Sequence, residues 1–165
     1  MMSLAVSAAI ETWPIAGSFT ISRGARTEMI VVVAEITDGA HTGRGECAPY
    51  RRYDETPQSV VTAIEAADLG DAPDRQALRQ VMPPGAARNA LDCALWDLEA
   101  KRSGISAAER CGHVALKPVE SAYTLSLGTL DTMAEAARRA AHYPLLKVKL
   151  GGDGDAPRIA AVRAA

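Results

Sequence analysis

The chain has 165 residues, 48% of them hydrophobic and 23% charged, with 18 basic against 20 acidic side chains and a net charge of −2. That length holds one ordinary domain, or a small domain and part of another, and the composition excludes a disordered chain. The even charge balance leaves no electrostatic footprint for nucleic acid or an anionic membrane, so small-molecule chemistry is the better expectation.

Cys47, Cys93 and Cys111 are odd in number and never closely spaced, which argues against a disulfide framework and a zinc knuckle and predicts a reducing, cytoplasmic setting. The apolar start, residues 1–10, lacks a basic segment, and no apolar run reaches about 18 residues, so neither export nor a membrane span is expected.

In chain order, an N-terminal segment over 4–11 leads to a loop, and the pattern then predicts a strand over 28–36 marked by Ile30-Val31-Val32-Val33. Asp38-Gly39 closes a hairpin, and the returning strand, 41–47, ends at Ala48-Pro49. Tyr50-Arg51-Arg52-Tyr53-Asp54-Glu55 reads as a polar, aromatic loop, in which Asp54 and Glu55, like Glu46 before them, shape the chain rather than move protons. Thr56-Pro57 then supplies a helix N-cap and first residue, with Val60, Val61 and Ile64 at helical spacing.

A short helix over 74–82 stops at Pro83-Pro84. The strongest helix follows, with Ala87, Ala90, Leu91, Ala94, Leu95 and Leu98 on one stripe and Gly104 beyond its end. Arg88, one turn before Asp92, suggests an ion pair on its outer face, and Trp13 and Trp96 read as core anchors. From residue 119 the order becomes strand 119–125, helix 131–142, strand 145–150 and helix 155–164, the opening of a parallel sheet. The reading is therefore an α+β domain over 1–118, a small antiparallel sheet plus helices, followed by two βα units over 119–165.

Leu145-Leu146-Lys147-Val148-Lys149-Leu150 reads as a buried strand on which Lys147 and Lys149 share one face and Leu146 and Val148 the other. Two ammonium groups side by side repel, which favours release of a proton from one of them and suits a general base. Spacing alone still favours the plainer reading, two surface lysines at a strand end.

Other signals lead nowhere. Gly151-Gly152-Asp153-Gly154 follows a strand, yet Pro157 stands where a phosphate-binding turn needs its third glycine, so a plain βα turn with Asp155 as N-cap is expected. His41, His113 and His142 show no ligand spacing, and Cys47 and Cys93, in apolar surroundings, are not expected to be nucleophiles.

Three segments in order, Gly43-Arg44-Gly45-Glu46-Cys47-Ala48-Pro49, the helix from Ala87 to Leu98, and Lys147-Val148-Lys149, resemble the enolase superfamily and within it the muconate-lactonising subgroup. Ile21-Ser22-Arg23-Gly24-Ala25-Arg26-Thr27 and Tyr50 to Thr56 are most similar to the L-Ala-D/L-Glu (dipeptide) epimerases. The resemblance covers nearly the whole chain. It implies a capping domain over about 1–118 and the start of a TIM-type barrel, here limited to two βα units, with Lys149 near a strand's C-terminal end, where barrel sites gather.

By the same resemblance, Lys149 exchanges the substrate α-proton on one face, and Lys147 beside it lowers the cost of the free amine and stabilises the enolate. Arg26, in the first capping loop, faces the distal carboxylate of a dipeptide, a task suited to guanidinium, with Arg23 a weaker candidate. Tyr50, Arg51 and Tyr53 line the second capping loop, Thr124 touches substrate, and Phe19 packs the loop base. Mg²⁺ is the implied cofactor. The family's metal carboxylates, opposite-face lysine and late Asp-x-Asp fall beyond Ala165, so this stretch is expected to supply no metal ligand and to be inactive as it stands.

The setting implied is recycling of murein peptides in bacterial cytoplasm, with homo-oligomerisation or association through an exposed barrel edge. A cycloisomerase or an o-succinylbenzoate synthase keeps the fold but fits the Arg-Gly-Ala-Arg loop less well. A non-catalytic fragment that pairs with another chain is the third reading.

Overall fold

The β-branched run near position 30 lies at the centre of the first sheet. The computed structural model describes residues 4–70, 74–113 and 115–165. Among them, β1 (Ala5–Ile21), β2 (Gly24–Thr37) and β3 (Thr42–Cys47) form a three-stranded sheet in that order. Val31, Val32, Val33 and Ala34 of β2 are all buried. β3 returns antiparallel, with Ala34 opposite Gly45 and Thr37 opposite Thr42. The Asp38 carboxylate closes the turn by accepting from the backbone N–H groups of Ala40 and His41.

The loop expected between the N-terminal segment and the strand at 28–36 is instead strand on both sides of a two-residue turn, Ser22-Arg23. Trp13, Ile15, Phe19 and Ile21 do alternate, but Pro14 and Gly17 interrupt the run and most of the stretch is exposed, which hid the strand. Arg26 therefore lies in β2, not in a loop. Trp13, expected in the core, is 53% exposed in β1, with its indole N–H donating to Glu11 at 3.1 Å.

Three helices pack beside this sheet, α1 (Pro57–Glu65), α2 (Arg75–Val81) and α3 (Ala86–Ser103), and a single-turn α4 (Ala107–Arg110), not read from the sequence, follows. Thr56 and Ser59 cap α1 reciprocally, and Gly104, at φ 67°, ends α3 in the left-handed conformation. The predicted stripe of α3 is buried, and it lies so close to β3 that a Cβ on Gly43 would fall on the Ala94 carbonyl and one on Gly45 on the Ala90 carbonyl. The Gly43-x-Gly45 motif thus has a packing role: glycine on the strand faces alanine on the helix.

On α3's outer face Arg88 donates to the Met82 carbonyl at 3.2 Å, not to Asp92 as expected. Trp96 is half-buried, its ring covered by the Arg75 guanidinium at 3.4 Å. Cys47 is buried, and burial, followed by the nearby Glu55 charge, pushes its thiol up to about 11, whereas Cys93 is exposed rather than set in apolar surroundings.

The second part has the expected order, β4 (Ala122–Leu125), α5 (Leu130–Arg139), β5 (Leu145–Val148) and α6 (Asp155–Ala164). The two strands are parallel and shorter than predicted, and β5 is half-exposed rather than buried. Leu125, Ala137 and Ala140 form a small core joined by Leu146, Val148 and Val162. Gly154, not Asp155, is the N-cap of α6; the Asp155 carboxylate instead accepts from the Gly151 and Gly152 N–H groups and pairs with Arg158.

The chain divides into two compact units, one running up to Trp13 and from Met29 to Leu116, the other made of Pro14–Glu28 and Lys117–Ala165. The tip of the β1–β2 hairpin belongs with the parallel strands. No helix of the described residues is long and apolar enough to cross a membrane.

Candidate active site

Strand register settles which side chains share a face of the parallel pair. Val148 packs into the helix-side core with Leu125, its partner across the sheet, so the flanking Lys147 and Lys149 point to the opposite face. Thr124 is the register partner of Lys147 and lies on that same face, half-buried. Lys149 is one residue beyond β5, but its backbone N–H donates to the Leu125 carbonyl at 3.0 Å, which continues the ladder and fixes the residue at the strand's C-terminal end. Lys147 is exposed and Lys149 half-buried.

The hairpin tip closes on this end of the sheet. Thr20 N–H donates to Ser126 Oγ at 3.3 Å, Ser126 Oγ donates to the Ser18 carbonyl at 3.2 Å, and Leu127 N–H donates to the Thr20 carbonyl at 3.1 Å. Between the two tethered residues stands Phe19, whose ring lies 5.5 Å from Lys149 Nζ. Expected at the loop base, Phe19 instead faces the lysine. Ser126 had no sequence signal, because a serine after a strand is unremarkable until its partner 106 residues earlier is known.

Lys147, Lys149, Thr124, Phe19 and Arg26 therefore belong to one unit, with Arg26 exposed on β2 close to the hairpin turn. Tyr50, Arg51 and Tyr53 belong to the other. There Arg51–Tyr53 form one 3₁₀ turn ended by Asp54 at φ 58°, and the two tyrosine rings lie 5.8 Å apart. Glu55 pins this loop: its carboxylate accepts from Tyr50 N–H at 3.1 Å and from Ala86 N–H, at the first turn of α3, at 2.6 Å. Tyr50, Tyr53 and Glu55 line a groove of about 480 Å³ with Asn89 and the Pro84-Gly85-Ala86 turn.

Among the described residues no three His, Cys, Asp or Glu side chains are grouped closely enough to hold a metal ion. After β5 come Asp153, in the turn, and Asp155, the first residue of α6, which is committed to backbone N–H groups and Arg158 that hold it below the usual carboxylate range. These residues do not fit a magnesium site.

Residues 3–112 match the family model of the mandelate racemase / muconate lactonizing enzyme N-terminal domain. The L-Ala-D/L-Glu epimerase of Escherichia coli K12 is 43% identical over 159 residues, which is 94% of this chain and 50% of that protein. An enolase family member from Agrobacterium tumefaciens with homology to dipeptide epimerases, solved with bound sodium and L-Ala-L-Glu and an ordered loop, is 51% identical with a TM-score of 0.91; the match covers 98% of this chain and 50% of that one. The dipeptide epimerase of Methylococcus capsulatus, complexed with Mg and L-Arg-D-Lys, is 27% identical with a TM-score of 0.84, over 99% of this chain and 51% of that one. This chain thus spans about half the length of the relatives it matches.

Proposed function

Because the chain belongs to the mandelate racemase / muconate lactonizing enzyme family, we propose that it is the N-terminal part of a dipeptide epimerase whose complete form interconverts L-Ala-D-Glu and L-Ala-L-Glu by 1,1-proton transfer through an enediolate. The observation that carries this reading is the placement of Lys147 and Lys149 on one face at the C-terminal end of β5. The proposed division is a capping domain over 1–118 and the first two βα units of a barrel over 119–165.

In this reading the free amine of Lys149 takes the α-proton from one face of the substrate, or its ammonium returns one. Lys147 keeps positive charge next to the carboxylate where the enediolate charge develops. Arg26 offers two parallel N–H donors to the distal carboxylate, and Thr124 contributes a hydroxyl on the lysine face. Tyr50, Arg51 and Tyr53 form the part of the cap that closes over the ligand. Magnesium belongs to the complete protein, held by residues outside this stretch; when bound it would neutralise carboxylate charge. The proposed setting is the cytoplasm and recycling of cell-wall peptides.

Uptake of α-deuterium from D₂O into L-Ala-L-Glu by the full-length protein with Mg²⁺ tests the reading. Exchange at the glutamate α-carbon is expected, and its absence rejects the epimerase assignment. Association is the companion proposal, supported by apolar side chains left exposed in the second unit, Val119 at 88%, Leu145 at 50% and Leu150 at 49% exposure. Light scattering of the 165-residue chain should give a mass above that of a monomer.

A further inference from the structure

Three consecutive residues at the end of β4 hold both sides of one contact. The Leu125 carbonyl fixes the backbone of Lys149, while Ser126 and Leu127 fix that of Ser18 and Thr20, which flank Phe19. Ser126 Oγ works in both directions, accepting from the Thr20 N–H and donating its one proton to the Ser18 carbonyl. Leu127 is seated against Gly151, where a Cβ would collide with its side chain, so the turn after β5 also supports the tether. Residues 14–28, far from 117–165 in sequence, are consequently part of the same unit.

We propose that Ser126 is a latch for the hairpin tip and that Phe19, held by it, is a positioning residue for the Lys149 amine. A lysine side chain has four rotatable bonds and, left in water, spreads over many rotamers. A ring face beside the ammonium selects the rotamers that lie along it and removes water from one side. Lys147, on the same face, is exposed. The latch thus distinguishes two otherwise equivalent lysines: one is presented in a fixed place and the other remains a solvated charge. The catalytic half of this proposal rests on Lys149 being the acid/base of the proposed epimerase; the structural half does not.

The test uses the full-length protein and two readouts. Brief acetic anhydride labelling followed by peptide mass spectrometry gives the ratio of modification at Lys149 to that at Lys147, without reference to activity. Phe19→Ala and Ser126→Ala should each raise that ratio about threefold, the size of an exposed cation–π contact, and Ser126→Thr, which keeps the hydroxyl, should restore it. In α-deuterium exchange the two alanine variants should lower kcat with KM within about twofold of the parent, as expected when an interaction that aims the base is lost. An unchanged labelling ratio in both alanine variants overturns the latch, and Phe19→Leu supplies the same comparison if Phe19→Ala does not fold. A raised ratio in a protein whose parent form shows no exchange upholds the latch and removes the epimerase reading.

Discussion

The two compact units put their apolar mass to different uses. The first buries Val32, Ile36, Ile64, Leu78, Leu91, Leu95 and Leu98 almost completely, with α3 pressed onto glycines of β3. The second buries Leu125, Met133, Ala137 and Ala140 and leaves Val119, Leu145 and Leu150 exposed. Stability is concentrated in the unit with no candidate base, while the unit that carries Lys147 and Lys149 is thinly packed. Reacting groups need a defined place more than a deep core, and on the proposed reading Lys147 and Lys149 take theirs from strand register and a hairpin tether.

Substitutions should separate the two units cleanly. Lys149→Ala in the full-length protein should lower α-proton exchange by about 10²–10⁴-fold, the usual contribution of a positioned general base, with unfolding by urea changed by no more than about 0.5 kcal/mol. A stability loss as large as that of a core variant would break the comparison. In the other unit, Leu95→Ala, at a site 2% exposed, should cost about 2–5 kcal/mol of unfolding free energy. Leu146→Ala, half-buried on β5, should cost about 1 kcal/mol. Similar losses at the two leucines would show that the second unit is as firmly packed as the first.

Smaller, and confined to the first unit, is the effect of Glu55. Its carboxylate joins the Tyr50 loop to the first turn of α3, so Glu55→Ala should cost about 1 kcal/mol, the typical worth of an N-terminal cap. It should also loosen the Tyr50–Tyr53 turn, read as faster hydrogen exchange of the Tyr53 amide, which otherwise donates to the Tyr50 carbonyl at 2.9 Å. Protection unchanged at Tyr53 would mean that the loop holds its own shape.

What the sequence made legible follows the same line. The α3 stripe, the Thr56-Pro57 start, the Asp38-Gly39 hairpin and the βαβα order could all be read, because each is written in local periodicity or turn chemistry. The shared face of Lys147 and Lys149 followed from the two-residue repeat of a strand. The extension of β1 and β2 through residues 12–27 was hidden, since its residues are mostly exposed and pair through the backbone. Ser126 and Phe19 escaped for a related reason: their roles depend on a partner more than 100 positions away, and no local pattern encodes it. Arg88 shows the converse error, where spacing permits a local ion pair and the folded chain offers a backbone carbonyl instead; the Asp155 carboxylate turns back to the Gly151 and Gly152 N–H groups rather than capping the helix from the position before it.

The smallest effect separates the units by acid. Asp38 accepts from the His41 N–H, the Arg102 guanidinium at 2.6 Å and the Ala40 N–H, which together hold its carboxyl well below the usual carboxylate range. A carboxyl depressed in the folded state stabilises the fold fully above its unfolded value, about 4, and loses that contribution as pH falls through the lowered folded value. Asp38→Asn keeps the oxygen that closes the turn but removes the charge that meets Arg102. Above about pH 5 the parent should be more stable than Asp38→Asn in urea, and the difference should shrink toward acid. Hydrogen exchange then assigns the loss to a region: the β2–β3 hairpin and the α3 end near Arg102 should open first, with Lys149 N–H, bonded to Leu125, keeping its protection. Loss of protection at Lys149 in step with the hairpin would mean that the two units unfold as one, and the contrast drawn between them would fail on energetic grounds while surviving on geometric ones.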